Sequence, residues 1–341
     1  MTQYTNNLAE PKSFPLEGEL RGAGDLGSFF SQQLASWDLP ARNYAALQQV
    51  QKKELDVNGM TFKVQFNPSR IVSSAAKVDA KSIQERKCFL CRENLPKEQQ
   101  GISFGDNYLI LVNPFPIFPT HLTIPDNRHV DQRIAGRIGD MLDLAKQLTD
   151  FVIFYNGPKC GASAPDHAHF QAGNRGFLPL EVDFETYVTK QNLLVNQPDI
   201  AVYALDFPVA FVLESSNRGI VTNWFEKIQA PLNPPGGGKE SEEPMMNLLC
   251  WYGGGKWRLV VFPRKLHRPW QFSAEGSDNL LISPAAVDLG GVFITPLEKD
   301  FQKIRSEDIA DILEQISIGK EEFEHLSLIL SKGEGKSCER E

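Results

Sequence analysis

No apolar run in this 341-residue chain outlasts a single β-strand. The longest, Tyr108-Leu-Ile-Leu-Val112 and Phe151-Val-Ile-Phe-Tyr155, fall far short of the roughly 20 residues a helix needs to cross a bilayer. Because 41% of the residues are hydrophobic, a full core is affordable only if many short elements are packed together. Phe62, Val64 and Phe66 alternate with polar residues from Met60 onward, as in a half-buried strand, and Pro68 ends the pattern. Further strands are expected at Tyr108 to Val112, His121 to Ile124 and Phe151 to Tyr155, with the Pro-rich corner Asn113 to Pro119 between the first two. From Asp131 to Leu148, Ile134, Ile138, Met141, Leu142, Ala145 and Leu148 recur at helical spacing, which predicts an amphipathic helix lying on a sheet. Residues 43–50 are helix-like, and another helix is expected from Ile304 to Ile316.

The net charge of −8 excludes a chain that clamps a nucleic-acid backbone with a basic face. The N-terminus offers neither a basic nor an apolar signal region, so a cytoplasmic protein without a membrane span is expected. Five cysteines are too few and too unevenly placed for a disulfide framework. Asn233 to Pro244 has the composition of a mobile loop, and residues 331–341 that of a disordered tail. Gly253-Gly-Gly-Lys256 is no phosphate-binding P-loop, because no Ser or Thr follows the lysine. His121 to His129 is faintly echoed by Arg258 to His267, each reading as a strand, a proline, basic residues and a histidine. Only the first half carries a His-x-His-x-Gln; the second continues with Ser283 to Gly291 instead.

The chemistry concentrates in Asn156-Gly-Pro-Lys-Cys-Gly-Ala-Ser-Ala-Pro-Asp-His-Ala-His-Phe-Gln171. On a strand, His167, His169 and Gln171 would share one face. The small residues before them, with Gly161, Ser163 and Lys159, could bring backbone and side-chain donors close to a phosphate. A neutral imidazole attacks phosphorus well when its other nitrogen is hydrogen-bonded. A lone histidine would more often be structural, but paired histidines after a Gly/Ser loop favour the functional reading. Cys88-x-x-Cys91 has metal-ligand spacing and supplies two of the four ligands of a tetrahedral zinc; His129 and His167 are the candidates for the others. A redox pair or two buried thiols are the alternatives.

The histidine segment resembles the active-site segment of the histidine-triad superfamily's transferase branch: diadenosine tetraphosphate phosphorylases, GDP-hexose phosphorylases and galactose-1-phosphate uridylyltransferases. Pro119-Thr-His-Leu-Thr-Ile-Pro-Asp-Asn-Arg-His129 resembles the strand and turn found upstream in that superfamily, and Cys88 and Cys91 resemble the uridylyltransferases' zinc pair. The resemblance implies an α+β fold of two histidine-triad-like domains, each a mainly antiparallel sheet with packed helices. Residues 1–55 would then be an N-terminal segment, 56–195 the catalytic domain and 196–330 a degenerate second one. It implies His169 as nucleophile, Gln171 as the contact to the transferred phosphate, and a structural zinc on Cys88, Cys91, His129 and His167. Two departures stand out: the extra residue Asp166 before the histidine pair, and a turn before His129 that is one residue longer.

The expected function is nucleotidyl transfer or phosphorolysis on a nucleoside diphosphate sugar or dinucleoside polyphosphate. Phosphate or a sugar phosphate would be the acceptor; homodimerisation stays open. Arg70, Lys77 and Lys159 are candidate phosphate ligands, and Asn113 a candidate ribose or base contact. The rivals are a nucleotide hydrolase with the same histidine and a zinc-stabilised nucleotide-binding protein without catalysis.

Overall fold

The computed structural model describes residues 23–71, 79–233 and 243–332. Its apolar runs pair with one another in one antiparallel sheet of ten strands. These are β3 (Gly101–Phe104), β4 (Tyr108–Val112), β5 (His121–Pro125), β6 (Phe151–Asn156), β7 (His169–Asn174), β8 (Leu193–Gln197), β9 (Ile200–Asp206), β10 (Val209–Ser215), β11 (Met246–Gly253) and β12 (Lys256–Pro263). Their spatial order is β3-β4-β5-β7-β6-β11-β12-β10-β9-β8.

From either edge the order repeats one topology. A three-strand meander, β3 to β5 or β8 to β10, is followed by a helix, either Ile138–Gln147 or Arg218–Leu232. Two more strands follow, and the second of them inserts beside the last strand of the meander. The halves join where β6 pairs with β11, Ile153 opposite Cys250 and Asn156 opposite Asn247. This corrects the faint echo in the sequence. β5 is equivalent to β10, and β7 to β12, so His121 to His129 and Arg258 to His267 lie on inequivalent strands. On β12, Val260 and Phe262 are buried in the same apolar core as Phe154, the neighbour of Gln171 across the β6–β7 pair. The second half has filled its counterpart of the histidine face with hydrocarbon.

A smaller sheet packs against that face. β1 (Gln51–Val57) and β2 (Met60–Phe66) form a hairpin, and β13 (Val292–Thr295) runs parallel to β2, Val292 opposite Lys63. Phe62, Val64 and Phe293 join Phe154, Leu249 and Val260 in one core. The other core, on the far face, takes Phe170 and Ala172 of β7 together with both crossover helices and with Leu26, Phe29 and Tyr44 from α1 (Ala23–Ser36) and α2 (Asp38–Leu47). The remaining helices used below are α3 (Ala80–Glu85), α4 (Ile138–Gln147), α5 (Arg218–Leu232), α6 (Ser306–Ile316) and α7 (Lys320–Lys332). Among the described residues no helix is long and apolar enough to cross a membrane.

Several local expectations change. The helix expected from Asp131 starts only at Ile138, because Gly136 adopts φ +75°, a left-handed conformation that interrupts the helix. The Gly-rich stretch before Lys256 is a tight hairpin, with Gly254 and Gly255 at φ +61° and +80°. The first two residues of the expected tail end α7; the rest of it, most of the expected loop at 233–244, and Lys77 lie outside the described residues.

Candidate functional site

β7 begins at His169, so His167 belongs to the turn before the strand rather than to its face. The two imidazoles therefore part company. His169 and Gln171 line a cavity of about 620 Å³, whereas His167 turns to the cysteines.

His169 is held at its backbone by Gln132, whose Oε1 accepts the His169 N–H at 2.7 Å while its Nε2 donates to the His169 carbonyl at 3.0 Å and to that of Asn156 at 2.9 Å. The ring is held as well. His169 Nδ1 donates to the His167 carbonyl at 2.8 Å, which leaves Nε2 with its lone pair. Burial pushes the imidazole down to about 4, although the His167 carbonyl pulls the other way, so the ring is neutral at pH 7.

Gln171 is oriented by His121. The Ile117 N–H donates to His121 Nδ1 at 3.2 Å, which puts the ring proton on Nε2, and that proton goes to Gln171 Oε1 at 3.0 Å. The Gln171 NH₂ is thereby the donor end offered to the cavity. Burial, and then the charge of Arg70, drive His121 down to about 3, so this tautomer does not titrate near neutrality. Tyr44 of α2 pins the same residue, its hydroxyl donating to the His121 carbonyl at 3.0 Å and accepting the His121 N–H at 3.2 Å. Arg70 lines the cavity and donates to the Phe115 carbonyl at 2.7 Å; burial lowers its guanidinium to about 10, still charged at pH 7. Asn113 braces the cavity corner by donating to Thr123 at 2.9 Å and accepting the Phe115 N–H at 2.9 Å.

The loop before the histidines turns at Gly161, where φ is +92° and a Cβ would come within 2.7 Å of Ala285 Cβ. Only glycine fits there. Gly161 and Ser163 consequently line the cavity, whereas Lys159, on the other side of the turn, lines a second space of about 160 Å³ with Asp131 and Glu243. The structure thus assembles His169, Gln171, Gly161, Ser163, Arg70 and Asn113 around one cavity and leaves Lys159 out of it.

The four expected metal ligands meet beside the cavity. Cys88 Sγ lies 3.3 Å and Cys91 Sγ 3.6 Å from His167 Nδ1, and Cys91 Sγ lies 3.2 Å from His129 Nδ1. All four ligand atoms fall within 4.8 Å of one another. A tetrahedral zinc, with bonds of about 2.3 Å to sulfur and 2.0 Å to nitrogen, sets S and N about 3.5 Å apart, so the donor set fits in type and spacing. His167 donates Nε2–H to the Asp126 carbonyl at 2.8 Å, which leaves Nδ1 toward the sulfurs, the second-sphere bond expected of a ligating histidine. Asp126 is fixed in turn by Arg137 at 2.6 Å and Arg128 at 3.2 Å.

Sequence reading missed His121, Gln132, Arg86 and the apolar wall contributed by Trp37, Leu39 and Phe89, all of which hold or line the site. The available signal for His121 was its alternation with Thr123 along an otherwise apolar strand.

Two family models match successive parts of the chain: a domain of unknown function (DUF4922) over residues 29–174, and a GDPGP1-like, C-terminal domain over residues 185–334. No curated protein matches the sequence. Among solved structures, yeast Ap4A phosphorylase Apa2 is similar over 82% of this chain and 96% of its own, at 16% identity and a TM-score of 0.55. The same enzyme in complex with AMP matches over 84% and 97% at 17% identity and a TM-score of 0.53. Its complex with Ap4A matches over 85% and 97% at 17% identity and a TM-score of 0.52. At these identities the shared property is the α+β fold with its antiparallel sheet and packed helices.

Proposed function

We propose that this chain is a member of the transferase branch of the histidine-triad superfamily, a reading that the GDPGP1-like C-terminal match and the fold support, and that it transfers a nucleotidyl group through a covalent intermediate on His169. The observation that carries this reading is a neutral imidazole held at Nδ1, with its other ring nitrogen free, beside an amide locked in its donor orientation, both on one cavity. The donor is a nucleoside diphosphate sugar or a dinucleoside polyphosphate. That the fold neighbour has been solved with AMP and with Ap4A supports a nucleotide ligand.

In the first half-reaction the Nε2 lone pair forms a bond to the α-phosphorus. The bond from that phosphorus to the bridging oxygen breaks, and the distal group departs with the electron pair. The ring becomes cationic, and its Nδ1–H remains on the His167 carbonyl, which favours that charge. The Gln171 NH₂, Ser163 and Arg70 face the non-bridging oxygens, where charge builds up. In the second half-reaction an oxygen of phosphate or of a sugar phosphate attacks the same phosphorus, and the P–N bond breaks to restore the neutral imidazole.

Cys88, Cys91, His129 and His167 would hold a zinc, which when bound supplies a structural cross-link between the cysteine segment and the turn leading to His169. In this reading the halves of the large sheet are a catalytic domain, expected at 56–195, and a degenerate one, expected at 196–330, with the division falling before β8 (Leu193–Gln197) rather than inside it and the first unit taking in all of β1 (Gln51–Val57).

The test is trapping with α-labelled donors of both classes. Wild-type protein should take up an acid-labile label that inorganic phosphate discharges, and His169→Ala should take up none, with turnover reduced on the order of 10⁴-fold or more. Turnover at the same rate without phosphate would make the chain a hydrolase. Binding without label or product from any donor would leave only a nucleotide-binding protein.

A further inference from the structure

We propose that Arg86, clamped by Asp166, is the ligand for the second phosphate of the donor, the one beyond the phosphate attacked by His169. The proposal rests on the nucleotidyl-transfer reading and adds to it a subsite and a residue pair.

Arg86 sits on the wall contributed by the cysteine segment, two residues before Cys88. Its Nη2 donates to Asp166 Oδ1 at 2.6 Å, and its guanidinium lies 5.0 Å from the ring centroid of Phe89. These two contacts fix the plane of the guanidinium. Nη1 is nevertheless buried without a hydrogen-bond partner, the only such side-chain nitrogen or oxygen among the described residues. A buried guanidinium N–H left unpaired is costly, and phosphate oxygens are the acceptors that this planar donor set suits best.

The charges lining the cavity point the same way. Among its described lining residues only Arg70 and Arg86 are cationic, and none is acidic. Arg70 follows β2 and stands by Phe115 and His121, on the side where Gln171 is oriented. Arg86 stands on a different wall. A diphosphate donor brings charge on two phosphates into this half-enclosed space, and two guanidiniums on different walls answer it. Asp166, the extra residue before the histidine pair, is what reaches Arg86, so the departure from the family pattern has a physical consequence in this chain.

The experiment compares binding of AMP with ADP, GMP with GDP and UMP with UDP to the full-length, zinc-loaded protein by calorimetry. Zinc content and thermal midpoint are followed for every variant. For whichever base binds, the wild type should prefer the diphosphate by about tenfold. Arg86→Met should bring that preference below about twofold while the monophosphate affinity holds, and Asp166→Asn should fall between. An intact preference in Arg86→Met overturns the proposal, as does an equal weakening of mono- and diphosphate. If Arg86→Met loses zinc or fold, Arg86→Lys decides: a preference cut to about threefold supports the subsite and an unchanged one overturns it. If no nucleotide binds the wild type, the underlying reading falls, and this assignment falls with it.

Discussion

The chemistry proposed for His169 depends on which form of the ring burial favours. Burial lowers its pKa to about 4, below the ordinary histidine value, so the lone pair at Nε2 persists well into acid. The single-turnover rate of label transfer to His169 should therefore be flat from about pH 8 to about pH 5.5 and fall only below that. A midpoint near 6.5 would mean that the ring is not desolvated. The same depressed pKa ties stability to pH: the folded state binds fewer protons than the unfolded, so this contribution is complete above the unfolded value near 6.5 and is lost as pH falls through about 4. His121 supplies a second test at this scale. His121→Phe keeps an aromatic ring against Phe118 and Phe154 but removes the proton that holds Gln171 Oε1. The turnover number should fall by roughly 10- to 100-fold, less than the ~10²–10³ expected for deleting a donor outright, with KM for the donor changing little. An unchanged turnover number would show that Gln171 needs no such support.

Between β5 and α4 the chain is not helical, and this is what lets Gln132 reach both backbone groups of His169. Gln132→Ala strands two buried carbonyls and one buried N–H, so it should destabilise the protein by about 2–4 kcal/mol in denaturant unfolding and slow turnover as the start of β7 loosens. Retention of wild-type stability would remove Gln132 from the scaffold. These elements also show how far the sequence could be read. Alternation placed β2, and unbroken apolar runs placed β4 and β6, nearly to the residue, because a half-buried strand shows its burial at every second position and a strand covered on both faces at every one. The Cys88/Cys91 spacing pointed to the four-residue cluster that could hold a metal ion, with His129 and His167 named as partners. What stayed hidden depends on register and long-range closure. His121 meets Gln171 only because Thr123 lies opposite Gln171 across β5 and β7. Arg86 meets Asp166 across 80 positions of sequence. Lys159 was misplaced for a local reason, since nothing in Lys-Cys-Gly-Ala-Ser announces the positive φ at Gly161 that sends Lys159 and Ser163 to different cavities.

At the scale of the molecule, the two repeats share one sheet through β6 and β11, and β2 of the first half is completed by β13 of the second. Neither half can open without baring strand edges and core on the other. Native-state hydrogen exchange should accordingly give the central amides of β6 and β11 the same opening free energy, within about 1 kcal/mol, together with those of β2. A markedly lower value confined to one half would show that the repeats unfold separately. The apolar side chains on the histidine-equivalent face of β12 fit this partnership, for that half supplies core surface against which the first half packs. The parallel partner of Lys63 is Val292, and a ribosome makes proteins from the N-terminus. The segment that carries His169 is thus synthesised before the strands that flank its half of the molecule, and must wait, with an open flank, for β11 and β13 to follow.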